Sequence, residues 1–282
     1  MDDSPSGPLG PIRAQDALER VEAKLLDLLP TLSADDWDKP TPVSSWRVQQ
    51  VAAHLLDTAF RKLSIVRDGY VTERPSSGAP EDLRSFVDGL NAQGVAVYGR
   101  LSPAVLIALM RTASHDLCEL HRGLDPDAPA TFAVSWAGEE QSLNWFDAAR
   151  ELTERWHHQQ QIRLAVDRPG IMTPDLYHPV LDCFMRALPY TYRNVAAAAG
   201  THVEVRVSGE SGGVWHLRYD GERWLLLRGV PEPPTVSVTI PEDIAWRVFT
   251  KGIRRDEAEA LVSFEGDRQL GLHVLQSVAI VG

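Results

Sequence analysis

Cysteine is almost missing from this 282-residue chain: only Cys118 and Cys183 are present, far apart and in no Cys-x-x-Cys pairing. A disulfide framework and a thiolate zinc cluster are therefore excluded, and a reducing cytoplasm is the expected location. An excess of positive charge is missing too. Lys+Arg number 28 against 39 Asp+Glu, a formal charge of -11, which disfavours a broad phosphate-binding surface and makes nucleic acid an unexpected partner. No run is apolar for long enough to span a bilayer, and the first residues, Met1 to Pro8, carry neither a basic cluster nor an apolar stretch. Neither a membrane partner nor a leader is expected. Internal repeats and low-complexity tracts are also lacking. What the chain has is 44% hydrophobic residues, enough at this length for a large core and a division into two domains.

Helical spacing dominates the first two thirds. Leu18, Val21, Leu25, Leu28 and Leu29 predict a helix between Pro11 and Pro30. Ser45 is the expected cap of a second helix carrying Trp46, Val48, Val51, Leu55, Phe60 and Leu63. After a loop over 72–80 the pattern resumes through Phe86, Leu90, Val95 and Val97, and Ser102-Pro103 opens a further helix in cap-then-proline order. Residues 123–142 lose the period and read as an ordered loop near the site. Asn144 is the expected cap of the next helix, which stops at Asp167-Arg-Pro-Gly170; Thr173-Pro174 restarts. After Ala196 the period becomes two, through Val203, Val205 and Val207, then Trp215, Leu217 and Tyr219, then 224–227 and Val236 to Ile240. Residues 241–249 and 268–277 return to helix. The expected organisation is α+β: a frayed terminus over 1–12, a helical bundle over 13–198 and a smaller α+β domain over 199–282.

One constellation carries chemistry. Glu154 and His158 are four apart, hence on one helix face, and His54 offers an imidazole from an earlier helix. Together they make a three-donor metal site, although spacing alone favours reading His54 as a satisfied core histidine. The blander readings cover the neighbours. His157 sits about a quarter turn away at about 3.6 residues per turn and reads as an outer or surface group. His115 and His121 read as solvated, and Cys118 as a small hydrophobe. Trp46, Trp136, Trp145 and Trp156 read as core or loop anchors, with a place at the pocket open to an aromatic near the metal.

The stretches Trp46-Arg-Val-Gln-Gln-Val-Ala-Ala-His54-Leu55 and Glu154-Arg-Trp-His-His158-Gln-Gln-Gln-Ile-Arg163, ending Asp-Arg-Pro-Gly170, resemble the mycothiol-dependent maleylpyruvate isomerase N-terminal domain, a DinB-like four-helix bundle. The tail from Gly213 to Asp267 resembles the sterol-carrier-like domain that accompanies it. The resemblance implies zinc, or another divalent metal, on His54, Glu154 and His158. It also implies mycothiol as thiol cosubstrate and an electrophilic small-molecule substrate, turned over by S-transfer or by thiol-assisted isomerisation. Where the family usually has Asp, this chain has Gln161, which leaves Asp57, one turn after His54, as the candidate outer carboxylate. Arg254 and Arg268 are candidate guanidiniums for an anionic group, with Arg255 beside them; all three also read as surface charge. Two rival readings stand beside this one. An iron-dependent sulfoxide synthase needs His-x-x-x-His-x-Glu, which Glu154 and Gln160 do not supply. A non-catalytic binding protein would use the metal only structurally and the tail as a small-molecule or partner module.

Overall fold

The computed structural model describes residues 7–42, 46–77 and 80–280. Its first part is helical: α1 (Gln15–Leu28), α2 (Ala34–Trp37), α3 (Val48–Lys62), α4 (Pro80–Tyr98), α5 (Pro103–Gly123), α6 (Asn144–Val166), α7 (Pro174–Met185) and α8 (Leu188–Tyr192). The bundle is formed by α1, α3, α5 and α6, with α4 laid against α3 and α7 against α6. Its interior is closed by Leu25, Val51, Leu55, Leu106, Leu117 and Ile162, each a residue that the 3.6-residue period turns inward.

Local chemistry sets the helix ends. The Ser102 hydroxyl accepts from the Val105 N–H and Pro103 follows as first residue of α5, the cap and proline order the sequence predicted. The predicted cap Ser45 lies outside the described residues; α3 starts later, at Val48, where Gln50 Oε1 accepts from the Arg47 N–H at 2.9 Å. Asn144 does not cap α6. It is the first residue inside the helix, and its amide donates to the Asp125 carbonyl at 2.9 Å. α6 ends where Asp167 takes a left-handed conformation, φ 53°. α3 runs into a π-turn over Leu63–Arg67, a departure that i, i+4 periodicity does not reveal.

Beyond α8 the chain forms β1 (His202–Val207), β2 (Gly213–Tyr219), β3 (Trp224–Leu227), β4 (Val236–Ile240), α9 (Glu242–Phe249), α10 (Arg255–Leu261), β5 (Ser263–Gly266) and α11 (Arg268–Gly271). The sheet order is β3-β2-β1-β4-β5, with β1 and β4 parallel and the other neighbours antiparallel. Hairpin reasoning anticipated β1 to β4; β5 and the parallel pairing were not in it, because a four-residue edge strand with mostly exposed side chains has no apolar alternation to read. Val203, Val205, Trp215, Leu217, Val238 and Ile240 point from the sheet into one apolar core shared with Trp156, Tyr177 and Phe184 of the helices. Of the terminus expected to fray, residues 1–6 lie outside the described residues, whereas Gly7 and Pro8 line up on β3 through the Arg228 N–H and a bridge to Leu227. No helix among the described residues is long and apolar enough to cross a membrane.

Candidate metal centre

His54 lies in the middle of α3 and is 2% exposed; Glu154 and His158 lie one turn apart on α6. The two helices bring the imidazoles to 4.6 Å between ring centres. Both Nε2 atoms face one carboxylate oxygen: His54 Nε2 is 3.5 Å and His158 Nε2 3.3 Å from Glu154 Oε1. Donor atoms of all three residues lie within 4.8 Å of one another, the one such group of metal-ligating residues among the described residues. Trp46 leans over the pair, 4.9 Å from the His54 ring and 6.3 Å from that of His158.

The protonation states make this a demanding arrangement. Burial lowers the pKa of both His54 and His158, outweighing what Glu154 gives back, so both rings are neutral near pH 7. His158 Nδ1 lies 2.8 Å from Gln161 Oε1; a carbonyl oxygen only accepts, so the proton sits on Nδ1 and the Nε2 lone pair faces Glu154. That lone pair and the carboxylate repel unless a cation lies between them. Two imidazoles, one carboxylate and an amide orienting one ring are the donor set that borderline divalent ions favour.

Below the cluster, α6 carries a stripe of acids at helical spacing, Asp147, Glu151 and Glu154. Lys62 Nζ reaches Asp147 Oδ2 at 2.7 Å and Glu151 Oε2 at 3.3 Å, and Arg150 reaches Asp147 at 2.8 Å. Arg155 joins Glu151 to Glu22 of α1 at 3.5 and 3.2 Å, and Ser114 donates to Glu22. These buried charges compensate one another, which is why α6 can be polar in sequence and buried on nearly every side. His121, expected to be solvated, is 2% exposed beside this network; burial, then Lys62, pushes its pKa down to about 4. His157 is buried as well and bonds the Thr153 carbonyl through Nδ1 at 2.8 Å.

A cavity of about 550 Å³ opens on the cluster. α3 supplies His54, Thr58, Arg61 and Lys62, residues at i, i+4 and i+7/i+8 on one face. α4 supplies Leu83, Phe86 and Leu90, and Gly94 of the same helix lets it approach: a Cβ there would lie 2.1 Å from the Asp57 carboxyl carbon. The segments after Gly69 and Gly123, whose lining positions periodicity does not assign, contribute Val71, Glu73, Arg74 and Pro75 and, in turn, Thr131, Phe132 and Trp136, and Ala279 and Ile280 close one side.

The remaining sequence candidates lie elsewhere. Asp57 receives Arg61 Nε at 2.7 Å, and no hydrogen bond joins it to His54, so the orienting role expected of it falls on Gln161 instead. Arg254 is held by Asp256 and Glu257, and Arg268 by Glu259, all on the exposed surface; neither lines the cavity, where Arg61, Arg74 and Arg150 do. Trp136 lines it too, whereas Trp156 is core, stacked on Tyr177, and Trp145 stacks on Phe146. Gln161 and Lys62 were legible in principle. Each falls on the same face as a ligating histidine.

Fold and site together define a helical bundle with a His-Glu-His donor cluster at the floor of a cavity, joined to a mixed five-stranded sheet. The model of the mycothiol maleylpyruvate isomerase N-terminal domain matches residues 18–163, more than half of the chain, and the chain belongs to that family. Over its length it is similar to the crystal structure of a histidine-to-alanine mutant of the mycothiol-dependent maleylpyruvate isomerase, with a TM-score of 0.52, 14% identity and coverage of 91% of this chain and 93% of that one. A second crystal structure of that isomerase aligns at TM-score 0.49 and 14% identity, over 85% and 88% of the two chains. At such identity the first of these likenesses speaks for the fold alone. No curated protein matches the chain.

Proposed function

We propose that this protein is a metal- and thiol-dependent enzyme of the mycothiol maleylpyruvate isomerase type, acting on an electrophilic small molecule. The observation that carries this reading is the convergence of His54, Glu154 and His158 on one point that faces a cavity. The donor set fits zinc or another divalent ion. With three protein donors, such an ion keeps an open coordination position and lowers the pKa of a thiol that reaches it. Membership of the family supports mycothiol as that thiol.

The chain's own residues do the rest. Gln161 holds the His158 ring in the tautomer that presents Nε2. Trp46 and the burial of His54 keep water from the back of the cluster, which strengthens every charge interaction in it. The Lys62-Asp147-Glu151-Arg150 network holds α6 against α3 and so fixes the spacing of the donors. Residues 13–198 act as the donor-bearing unit, and residues 199–282 close the cavity through Ala279 and Ile280. Thiol addition followed by bond rotation and thiol release is isomerisation; addition without release is S-transfer. Both draw on the same residues, and a reducing cytoplasm, where a small thiol persists, is the fitting location.

The test is metal analysis of the purified full-length protein, with turnover of activated electrophiles followed with and without a low-molecular-weight thiol. The reading requires a bound divalent ion, thiol-dependent turnover, and loss of both in His54→Ala. Metal-free protein, or a His54→Ala variant with unchanged turnover, ends it.

A further inference from the structure

The charges around the cavity narrow the class of electrophile. Arg61 donates to Asp57 and, at 2.7 Å, to Asn91. Lys62 and Arg150 are held by Asp147 and Glu151. Arg74 stands on the exposed rim, where water and salt screen its charge. Among the described residues, every buried or half-buried cation on this lining thus has an acid at hand, and the exposed Arg74 is screened by water. The metal reading, on which this inference rests, leads to the same balance: a divalent ion, the Glu154 carboxylate and an incoming thiolate sum to zero. A substrate carboxylate entering here would leave water with no unmatched positive charge to meet it, a heavily unfavourable transfer.

The wall away from the donor cluster is apolar and partly aromatic, built by Ile65, Leu83, Phe86, Leu90, Phe132 and Trp136. Such a surface attracts a ligand in proportion to the apolar area it covers. We infer that the electrophile is a neutral molecule with an aromatic or alicyclic body, seated on the α4 face of Leu83, Phe86 and Leu90 with its reactive carbon toward Glu154, and that carboxylate-bearing electrophiles are poor ligands. The chain is thereby set apart from a protein built for a dicarboxylate such as maleylpyruvate. Phe86 and Leu90 are the specificity-determining residues: they face the cavity and are only half-buried, so their role is contact with ligand rather than support of the core.

The experiment uses the full-length protein stripped of metal and without thiol, so that no uncompensated metal charge draws in a carboxylate. Binding of methyl cinnamate, cinnamate and maleate is followed by calorimetry and by quenching of tryptophan fluorescence, to which Trp136 reports from the cavity wall. Methyl cinnamate is expected to bind at least about tenfold more tightly than cinnamate, and maleate more weakly again, because each added carboxylate is buried without a partner. Phe86→Ser and Leu90→Gln, made separately, are each expected to weaken methyl cinnamate by about tenfold or more through lost apolar contact, with metal content unchanged. The inference is overturned if maleate or cinnamate binds as tightly as the ester, or if both folded variants keep the ester's Kd. Should a variant fail to fold, the three-probe series on the unaltered protein decides. A protein that binds no metal yet prefers the ester sinks the thiol-metal reading and upholds this one; a metal-binding protein that prefers maleate does the reverse.

Discussion

Two pairs of imidazoles lie side by side in this protein, and they have different fates. In the bundle, His54 and His158 turn their Nε2 atoms toward Glu154. On the outer face of the sheet, His202 and His216 turn toward each other, Nε2 to Nδ1 at 3.0 Å. The facing nitrogens there engage each other, one donating and one accepting. A glutamate is also at hand: Glu204 is two residues along β1 from His202 and opposite His216 in register. Its Oε1, however, already accepts from Ser237 at 2.9 Å and Arg206 at 3.0 Å. The residue types are the same in both places. What makes one of them a candidate metal centre is that its carboxylate and lone pairs are not already engaged with one another, and that Gln161 fixes the tautomer which leaves them so.

The largest difference lies beneath the pairs. Lys62, 5% exposed on its side chain, pairs with Asp147 and Glu151 below the bundle pair, while Arg206 and Glu204 on the sheet are nearer to solvent. Lys62→Met leaves two buried acids short of a cation and is expected to destabilise the protein by about 3–5 kcal/mol, read by denaturant unfolding. A loss of under about 1 kcal/mol, the range of a surface pair, would mean the floor is no more than a solvated ion pair.

Acid separates the two regions next. His121 has a folded pKa near 4 against 6.5 in the unfolded chain. As pH falls from about 6.5 to about 4 the unfolded chain takes up a proton that the folded one refuses, so stability falls, by up to about 1.4 kcal/mol per pH unit and about 3 kcal/mol in all. Above about 6.5 this group makes stability independent of pH. Replacing it, His121→Leu, should flatten that limb by close to one proton. His202→Ala should flatten it less, since Glu232 and Glu204 give back part of what burial takes from the His202 pKa. Equal flattening in the two variants would erase the distinction.

Gln161→Leu removes the acceptor on His158 Nδ1 and should weaken metal binding by roughly 10- to 100-fold with little change in stability, whereas Gln161→Glu, which keeps an acceptor in place, should restore it. The smallest effect is expected on the sheet. His202→Ala breaks one imidazole-imidazole hydrogen bond and should cost about 1 kcal/mol without altering metal content.

Much of this was readable from residue order alone. The switch from a period of 3.6 to a period of 2 near Ala196 located the change from helix to sheet, and i, i+4 spacing put Glu154 and His158 on one face. Periodicity states which face a residue shares, and says nothing of which helix will lie opposite. That is why His121 reads as solvated and His157 as an outer or surface group, why Asp57 stands in for Gln161, and why Arg254 and Arg268 come before Arg61 and Arg150 at the cavity. The acids on α6 give the reason most plainly. A stripe at 147, 151 and 154 looks like a solvated face until Lys62 and Arg155 are known to meet it in the interior.

Cobalt titration of the full-length protein, followed by visible absorption, tests the central claim most directly. The account predicts that the unaltered chain and His202→Ala each bind about one ion in a low-symmetry or tetrahedral field, that added thiol brings a sulfur-to-cobalt charge-transfer band, and that Glu154→Gln abolishes both signals. Cobalt held equally by Glu154→Gln, or lost on replacing His202, would contradict it.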